Sequence, residues 1–264
     1  SSWKVAGRYR LGQQSRIAVS TDEDKMIRKD GRTMRRLRKL RFALSKPQTA
    51  ENGGVLLPVA AEGISPALRR AIYLDPYEAH ERAVIHKKLA PDDVVLELGA
   101  GIGFISTYCA KRIGSERVFA VEANPVMAET IRETYRLNGV TPQLTCGLLG
   151  RGDGEETFYI EGNFISSSTL QRSASAQAVK TRRYDAQRFI EQIQPTFLIC
   201  DIEGGEKELL AYIPLTGINK LCIELHPHVI GNASTTEIFG RLIDEGFICD
   251  FLSSSGKVFF FERT

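Results

Sequence analysis

The sequence predicts an α/β fold: a doubly wound, mostly parallel sheet that closes in an antiparallel hairpin. Three observations lead there. Short apolar runs alternate with segments of helical periodicity from about residue 94 to residue 245, the pattern of successive β-α-β units. The apolar run Val94-Val95-Leu96-Glu97-Leu98 breaks into Gly99-Ala100-Gly101-Ile102-Gly103, and a helix-like stretch (Ile105, Tyr108, Cys109, Arg112) follows. A buried parallel strand reads as such a run, and glycines at its end let the backbone turn sharply. Finally, apolar segments over 247–252 and 257–261 flank Ser253-Ser254-Ser255-Gly256, which reads as a hairpin.

Taken in order, residues 1–53 stand apart as a basic, partly helical extension and linker. Lys25, Arg28, Lys29, Arg32, Arg35, Arg36, Arg38, Lys39, Arg41 and Lys46 crowd the stretch 25–46, with Met34, Leu37, Leu40 and Leu44 three or four positions apart. That spacing predicts one apolar helical face, suited to packing on the body or on a second copy in a homodimer. The charge offers a platform for an anionic partner. Pro47 to Gly54 reads as a linker. The domain proper is expected over 54–264. It opens with a short strand over 54–59 and a helical stretch over 65–90, in which Leu68, Ala71, Ile72, Ala79, Ala83, Val84 and Leu89 recur at helical spacing. Strands at 94–98, 118–121 and 143–149 alternate with helices ending near Arg112 and covering 127–137. A short strand at 156–160 precedes a Ser-rich loop over 164–176, whose Ser166-Ser167-Ser168-Thr169 could line a polar pocket. The alternation resumes with a helix at 186–193, a strand at 196–200, a helix at 206–212, a strand at 220–225 and a helix at 235–245.

Composition narrows the classes. A net charge of +3 over 264 residues is not that of a general polyanion binder. No apolar run approaches the ~20 residues a membrane span needs, and Ser1-Ser2-Trp3-Lys4 carries no apolar signal region. The five cysteines (Cys109, Cys146, Cys200, Cys222, Cys249) are scattered and form no Cys-x-x-Cys. They read as reduced thiols, and the expected compartment is the cytoplasm.

The glycine loop feeds a helix N-terminus, where free N–H groups favour an anionic group. Its pattern is Glu-x-Gly-x-Gly-x-Gly, and a full Gly-x-Gly-x-x-Gly dinucleotide fingerprint is absent. A carboxylate at Glu97 would repel a pyrophosphate and suits a ligand bearing an ammonium and a sulfonium. Glu122 ends the next strand, placed to accept two ribose hydroxyls. Glu97 to Gly103 followed by Val121-Glu122-Ala123-Asn124-Pro125 resembles motifs I and II of class I S-adenosylmethionine-dependent methyltransferases. The expected cofactor site is therefore Glu97, Gly99, Ala100, Gly101, Gly103, Glu122 and Ala123, with Asp201 from a later strand. The resemblance implies a Rossmann-like sheet of seven strands and S-adenosyl-L-methionine as cofactor.

A second constellation lies downstream. The strand before Cys200 delivers Asp201, with Glu203 beyond it and Gly204-Gly205-Glu206 turning into a helix. The strand 220–225 delivers Glu224, His226 and His228 to the same edge. Asp201-Ile202-Glu203-Gly204-Gly205-Glu206 with Glu224-Leu225-His226 is similar to the signature of the FkbM-type methyltransferase family. Tyr77-Glu78-Ala79-His80-Glu81 and Arg183-Tyr184-Asp185 resemble further elements of that family, with Arg-Tyr in place of its usual Thr-Leu. The resemblance covers residues 54–264 and implies methyl transfer to a hydroxyl of a sugar, glycan or polyketide-like small molecule. A hydroxyl is a weak nucleophile until deprotonated, and a positioned base supplies ~10²–10⁴-fold. His226 is the expected base, with Asp201, Glu203 and Glu224 orienting it or the cofactor; the alternative is a structural histidine at the Pro227 turn. His80, His86 and His228 are read as structural or surface residues. A divalent metal on Asp201, Glu203 and His226 is chemically feasible, but the expected site contains none. Competing functions are a nucleic-acid methyltransferase gripping with the basic arm, a non-catalytic cofactor-binding scaffold and, more remotely, a nicotinamide oxidoreductase. The stretch after Cys200 offers a nucleic-acid base no aromatic platform, and its two acids would repel phosphate.

Overall fold

A computed structural model describes residues 42, 44, 47–61, 63–161 and 173–263. The basic arm, apart from Phe42 and Leu44, and the Ser166–Thr169 stretch lie outside the described residues. Phe42 meets Tyr73 with ring centroids 5.2 Å apart, whereas Leu44 is exposed.

The expected architecture is present. Seven strands form one sheet: β3 (Val95–Leu98), β4 (Val118–Glu122), β5 (Gln143–Cys146), β9 (Phe197–Cys200), β10 (Lys220–Glu224), β11 (Phe247–Cys249) and β12 (Val258–Arg263). Their order is β11-β12-β10-β9-β3-β4-β5. The five central and edge strands from β10 to β5 run parallel, and β12 inserts antiparallel between β10 and β11. This is the seven-stranded, Rossmann-like sheet with a terminal antiparallel hairpin that the class I resemblance implied. The chain winds outward through β3, β4 and β5 and returns to β9 on the other side of β3. The topological switch point therefore lies between β3 and β9, where open α/β sheets bind ligands.

Alternation along the strands builds two apolar layers. Phe197, Ile199, Cys222 and Phe260 face one layer, together with Phe104 and Ile131. Leu198, Leu221, Ile223 and Phe261 face the other. Every residue of β9 is buried, and each large apolar side chain so buried contributes roughly 1.5–3 kcal/mol. The helices that cover the sheet are α1 (Pro66–Leu74), α2 (Ala79–Lys88), α3 (Phe104–Ile113), α4 (Met127–Asn138), α5 (Ala186–Ile193), α6 (Glu206–Leu210) and α7 (Pro227–Asp244).

Four features differ from the sequence expectation. The stretch 47–54 is not merely a linker: β1 (Ala50–Asn52) pairs with β2 (Val55–Leu57), and a boundary after residue 53 cuts this hairpin. Asn52 ties it to the body, donating to the Ile72 and Asp75 carbonyls at 2.7 and 2.9 Å. The single helical stretch 65–90 is two helices, because Pro76 forces Asp75 out of the helical region to φ −123°, ψ 156°. The last helix begins at Pro227, not 235, and bends at Gly231, whose φ of 82° and ψ of 159° are not helical. Finally, the strand expected over 143–149 splits at Gly147 (φ 146°). Its second half, β6 (Leu148–Gly150), joins β7 (Gly154–Ile160) and the unanticipated β8 (Gln177–Asp185) in a separate three-stranded sheet of order β6-β8-β7. All five cysteines are free thiols. Among the described residues no helix is long and apolar enough to cross a membrane.

Candidate cofactor and acceptor site

The loop after β3 is held by its neighbours on both sides. Gly99 and Ala100 donate their N–H groups to the Val121 carbonyl at 3.0 and 3.2 Å. Gly101 donates to Glu122 Oε2 at 2.8 Å, and Asn124 donates to Glu122 Oε1 at 2.7 Å. On the other side, Asp201 donates its N–H to the Leu98 carbonyl at 3.0 Å. The approach is so close that a Cβ on Gly99 would lie 1.7 Å from the Asp201 carbonyl oxygen. Gly99 (φ 87°) therefore satisfies both a left-handed turn and a backbone contact that only glycine allows.

Above this loop opens a cavity of about 1080 Å³, at the upper end of the ~300–1,000 Å³ that small-molecule sites usually span. Gly99, Gly101, Ile102, Glu122 and Ala123 form its floor, with Asp201, Glu203 and Glu224 along one wall. Tyr77 and Glu78, which lead into α2, and Glu81 in its first turn lie on the lining too, as do Leu148–Arg151, Phe158 and Arg183 from the small sheet and its turn.

Three expected cofactor residues do not line this cavity. Glu97 is buried, and its carboxylate accepts the Ser106 N–H at the start of α3, at 3.1 Å. Burial outweighs the Ser106 bonds and pushes its carboxyl up to about 8. It therefore serves the loop-to-helix junction rather than meeting a ligand ammonium directly. Ala100 is buried behind the loop. Gly103 gives room for α4, since a Cβ there would meet Ile131 Cγ2 at 3.0 Å and Tyr135 Cε1 at 3.2 Å. Glu122 does face the cavity. Burial raises it to about 7 against the N–H bonds of Asn124, Gly101 and Ala123, and a carboxylate's four lone-pair positions leave one for a ribose hydroxyl.

His226 also departs from expectation. It is 3% exposed and does not line the cavity, so a general base acting directly on an acceptor is not where the structure puts it. Its Nδ1 lies 2.9 Å from Oε1 of Glu206, which is wholly buried and also accepts the Gly204 N–H at 3.1 Å. Its Nε2 points at three carboxylates: Glu203 Oε2 at 3.5 Å, Asp201 Oδ1 at 3.7 Å and Glu224 Oε1 at 3.7 Å. Burial alone would lower its basicity, but the Glu206 bond and the charges of Glu206, Glu203 and Glu224 overcome it and hold the imidazole's pKa above its ordinary value. Residue placement is enforced by the backbone: Glu203 sits at φ 54° and Gly204 at φ 103°. For Glu203 that conformation costs energy, and such strained residues cluster at ligand sites.

The acids press on one another. Burial, then Glu224, Glu203, Glu78 and Glu206, push Asp201 well above the usual carboxylate range. Burial, followed by the hydrogen bond and charge of Glu81, raises Glu224 to about 7. Glu78, at φ 43°, is raised by burial and then by Glu81 and Glu97. This wall favours cationic groups. Arg151, Lys207 and Arg183 lie on the lining as well, but Arg183 is engaged by Glu156 at 2.7 Å and Arg151 stacks 4.0 Å over Tyr212.

Asp201, Glu203, Glu224 and Glu122 are thus brought together as the sequence predicts. Tyr77, Glu78 and Glu81 carry no individual role in the sequence pattern. Glu206 reads in sequence only as a favourable charge at a helix start, and its bond to His226 appears only in the fold.

Comparison with known proteins points the same way as the fold. The profile of the TRM5/TYW2 methyltransferase domain matches residues 68–151, from α1 past the glycine loop and Glu122 to the end of β6. The chain is similar to protein arginine N-methyltransferase 1.1 of Arabidopsis thaliana, with 40% identity over 60 residues, covering 23% of this chain and 15% of the relative. It is also similar to a tRNA (guanine(37)-N(1))-methyltransferase of Methanocaldococcus jannaschii, with 33% identity over 67 residues, 25% of this chain and 19% of the relative. The chain thus matches less than a fifth of the length of either protein. Among solved structures, an O-methyltransferase from Bacillus cereus in complex with SAH aligns with a TM-score of 0.43 and 12% identity, covering 71% of this chain and 81% of that one.

Proposed function

We propose that the chain is an S-adenosylmethionine-dependent methyltransferase acting on a hydroxyl of a small, non-anionic acceptor such as a sugar, glycan or polyketide-like molecule. The observation that carries this reading is the Gly99–Gly101 loop, clamped between Glu122 and the Asp201 backbone at the β3/β9 switch point and opening on an acid-walled cavity. Glu122 is placed for the ribose, and the acidic wall suits a donor carrying a sulfonium and an ammonium. Room remains beside such a donor for an acceptor under the small sheet. Oxygen as the methylated atom is supported by the likeness of Asp201–Glu206 and Glu224–His226 to the FkbM-type signature.

The donor is already activated, so alignment supplies most of the catalysis. The acceptor's O–H proton passes to a carboxylate of the wall, for which Glu224 is the candidate because it faces the cavity. S-adenosylmethionine, held by the Gly99–Gly101 loop and Glu122, would supply a methyl group that the acceptor oxygen takes as the carbon–sulfur bond opens with its electron pair left on sulfur. His226, held from behind by Glu206, acts as a positioning residue that faces Asp201, Glu203 and Glu224. A second reading, nucleic-acid methylation, is favoured by the TRM5/TYW2 profile match. Against it stands the wall formed by Glu78, Glu81, Asp201, Glu203 and Glu224, which repels a phosphate backbone.

Calorimetry with S-adenosylhomocysteine and transfer of tritiated methyl groups test both. The expected result is stoichiometric binding weakened at least about tenfold by Glu122→Ala, with label entering hydroxylated small molecules. Label entering tRNA instead, with binding that falls steeply as salt rises, would favour the second reading. No cofactor binding at all would remove both.

A further inference from the structure

We propose that Asp201, Glu203 and His226 form a binding site for one divalent cation, Mg²⁺ or Mn²⁺, at the acid wall of the cavity. One oxygen or nitrogen from each of the three lies within 4.8 Å of the others. Two carboxylates and one imidazole are a donor set that suits these hard cations. Metal–oxygen distances of 2.0–2.1 Å put ligands at right angles roughly 3 Å apart. The present spacings of 3.5 and 3.7 Å from His226 Nε2 would contract by roughly 0.5–0.7 Å around such an ion.

Proximity of acids alone would not make a site. The second observation is the imidazole. His226 is 3% exposed and is locked from behind by Glu206, the arrangement by which a carboxylate fixes a ligating histidine's tautomer. With Nδ1–H donated to Glu206, the lone pair of Nε2 is aimed into the cluster, where the nearest carboxylate oxygen is that of Glu203 at 3.5 Å. Three carboxylates facing Nε2 favour positive charge at that point, and a divalent cation there would bond the imidazole and the two carboxylates of Asp201 and Glu203 together. Asp201 Oδ1 is likewise a buried oxygen with no hydrogen-bond partner among the described residues. Three protein ligands leave open positions on an octahedral ion, and Asp201 and Glu203 border the cavity. The ion would therefore present acceptor oxygens to the methyl donor, a role that rests on the methyltransferase reading; binding of the ion does not.

Titration of the metal-stripped full chain with Mn²⁺, followed by electron paramagnetic resonance and by thermal unfolding, tests the site. Expected are one Mn²⁺ per chain, displacement by Mg²⁺, and a melting temperature raised by the ion. Asp201→Asn and Glu203→Gln should each weaken Mn²⁺ binding at least about tenfold, and the exposed Glu237→Gln should leave it unchanged. Because both variants remove charge from a crowded acidic site, each should melt no lower than the wild type without metal, which separates lost binding from lost folding. Absence of Mn²⁺ binding below millimolar concentration, or full binding retained by both variants, would overturn the proposal. Arginine or a guanidinium salt raising the melting temperature where Mn²⁺ does not would also overturn it and identify a cationic acceptor. Binding of S-adenosylhomocysteine without Mn²⁺ binding would sink the metal site alone; Mn²⁺ binding without cofactor binding would support the site and sink the methyltransferase reading.

Discussion

At the scale of single residues, Gly99 has the least freedom. Its φ of 87° and the 1.7 Å that would separate an added Cβ from the Asp201 carbonyl oxygen leave no rotamer with which a side chain could escape. Gly99→Ala should cost several kcal/mol, combining roughly 1–3 kcal/mol of backbone strain with a similar steric term, and should abolish S-adenosylhomocysteine binding. A melting curve and a calorimetric titration check it; a variant with wild-type stability and affinity would contradict the clamp. This residue is legible in the sequence, because alternating glycines after an apolar run declare a turn. The partner it touches is not, since Asp201 lies far along the chain and only the return to β9 brings it near. His226 shows the same limit. Its type suggests a base, yet its neighbours make it a buried partner of carboxylates, and burial is a property of the packed sheet.

Elements are legible where one face or both meet the core. β3, β4, β9 and β10 are apolar runs because the sheet buries them on both sides, and the sequence places them within a residue or two. β8 escapes notice because Lys180, Arg182 and Arg183 interrupt it and most of it is exposed or half-buried; a strand of a small, half-solvated sheet has no apolar run to show. The early start of α7 is hidden for another reason. Pro227 begins a short helical turn that Gly231 ends, and the long amphipathic part starts only beyond it. Gly231 has φ 82° and ψ 159°, a region that essentially only glycine occupies, and a Cβ there would meet open space. Gly231→Ala should therefore cost about 1–3 kcal/mol from backbone strain alone, measurable by denaturant unfolding. A variant as stable as the parent would mean that the bend is not enforced by this residue.

For the whole molecule, the buried acids set how stability follows pH. Glu97 is raised to about 8 and Glu122 to about 7 from an ordinary 4.5. Between pH 4.5 and 8 the folded chain thus holds protons that the unfolded chain has released, so the contribution of these acids to stability is greatest below about 4.5 and falls as pH rises through that window. Asp250 acts in a separate range: its hydrogen bond to Lys88 holds it well below the usual carboxylate range, so its contribution is lost only in strong acid. Urea unfolding without cofactor should show ΔG declining from about pH 5 to about pH 8, on the order of a few kcal/mol. Glu97→Gln, which mimics the protonated acid, should flatten that decline; an unchanged slope would show that Glu97 is not the source.

The chain's break at Gly147 has a consequence for redesign. The glycine loop, Glu122 and Asp201 belong to the seven-stranded sheet, while Leu148, Leu149, Phe158 and Arg183, which also line the cavity, belong to the appended three-stranded piece. On the methyltransferase reading, exchanging Leu148, Leu149, Phe158 or Arg183 should alter which acceptors are methylated more than it alters S-adenosylhomocysteine affinity, as acceptor profiling and calorimetry would show.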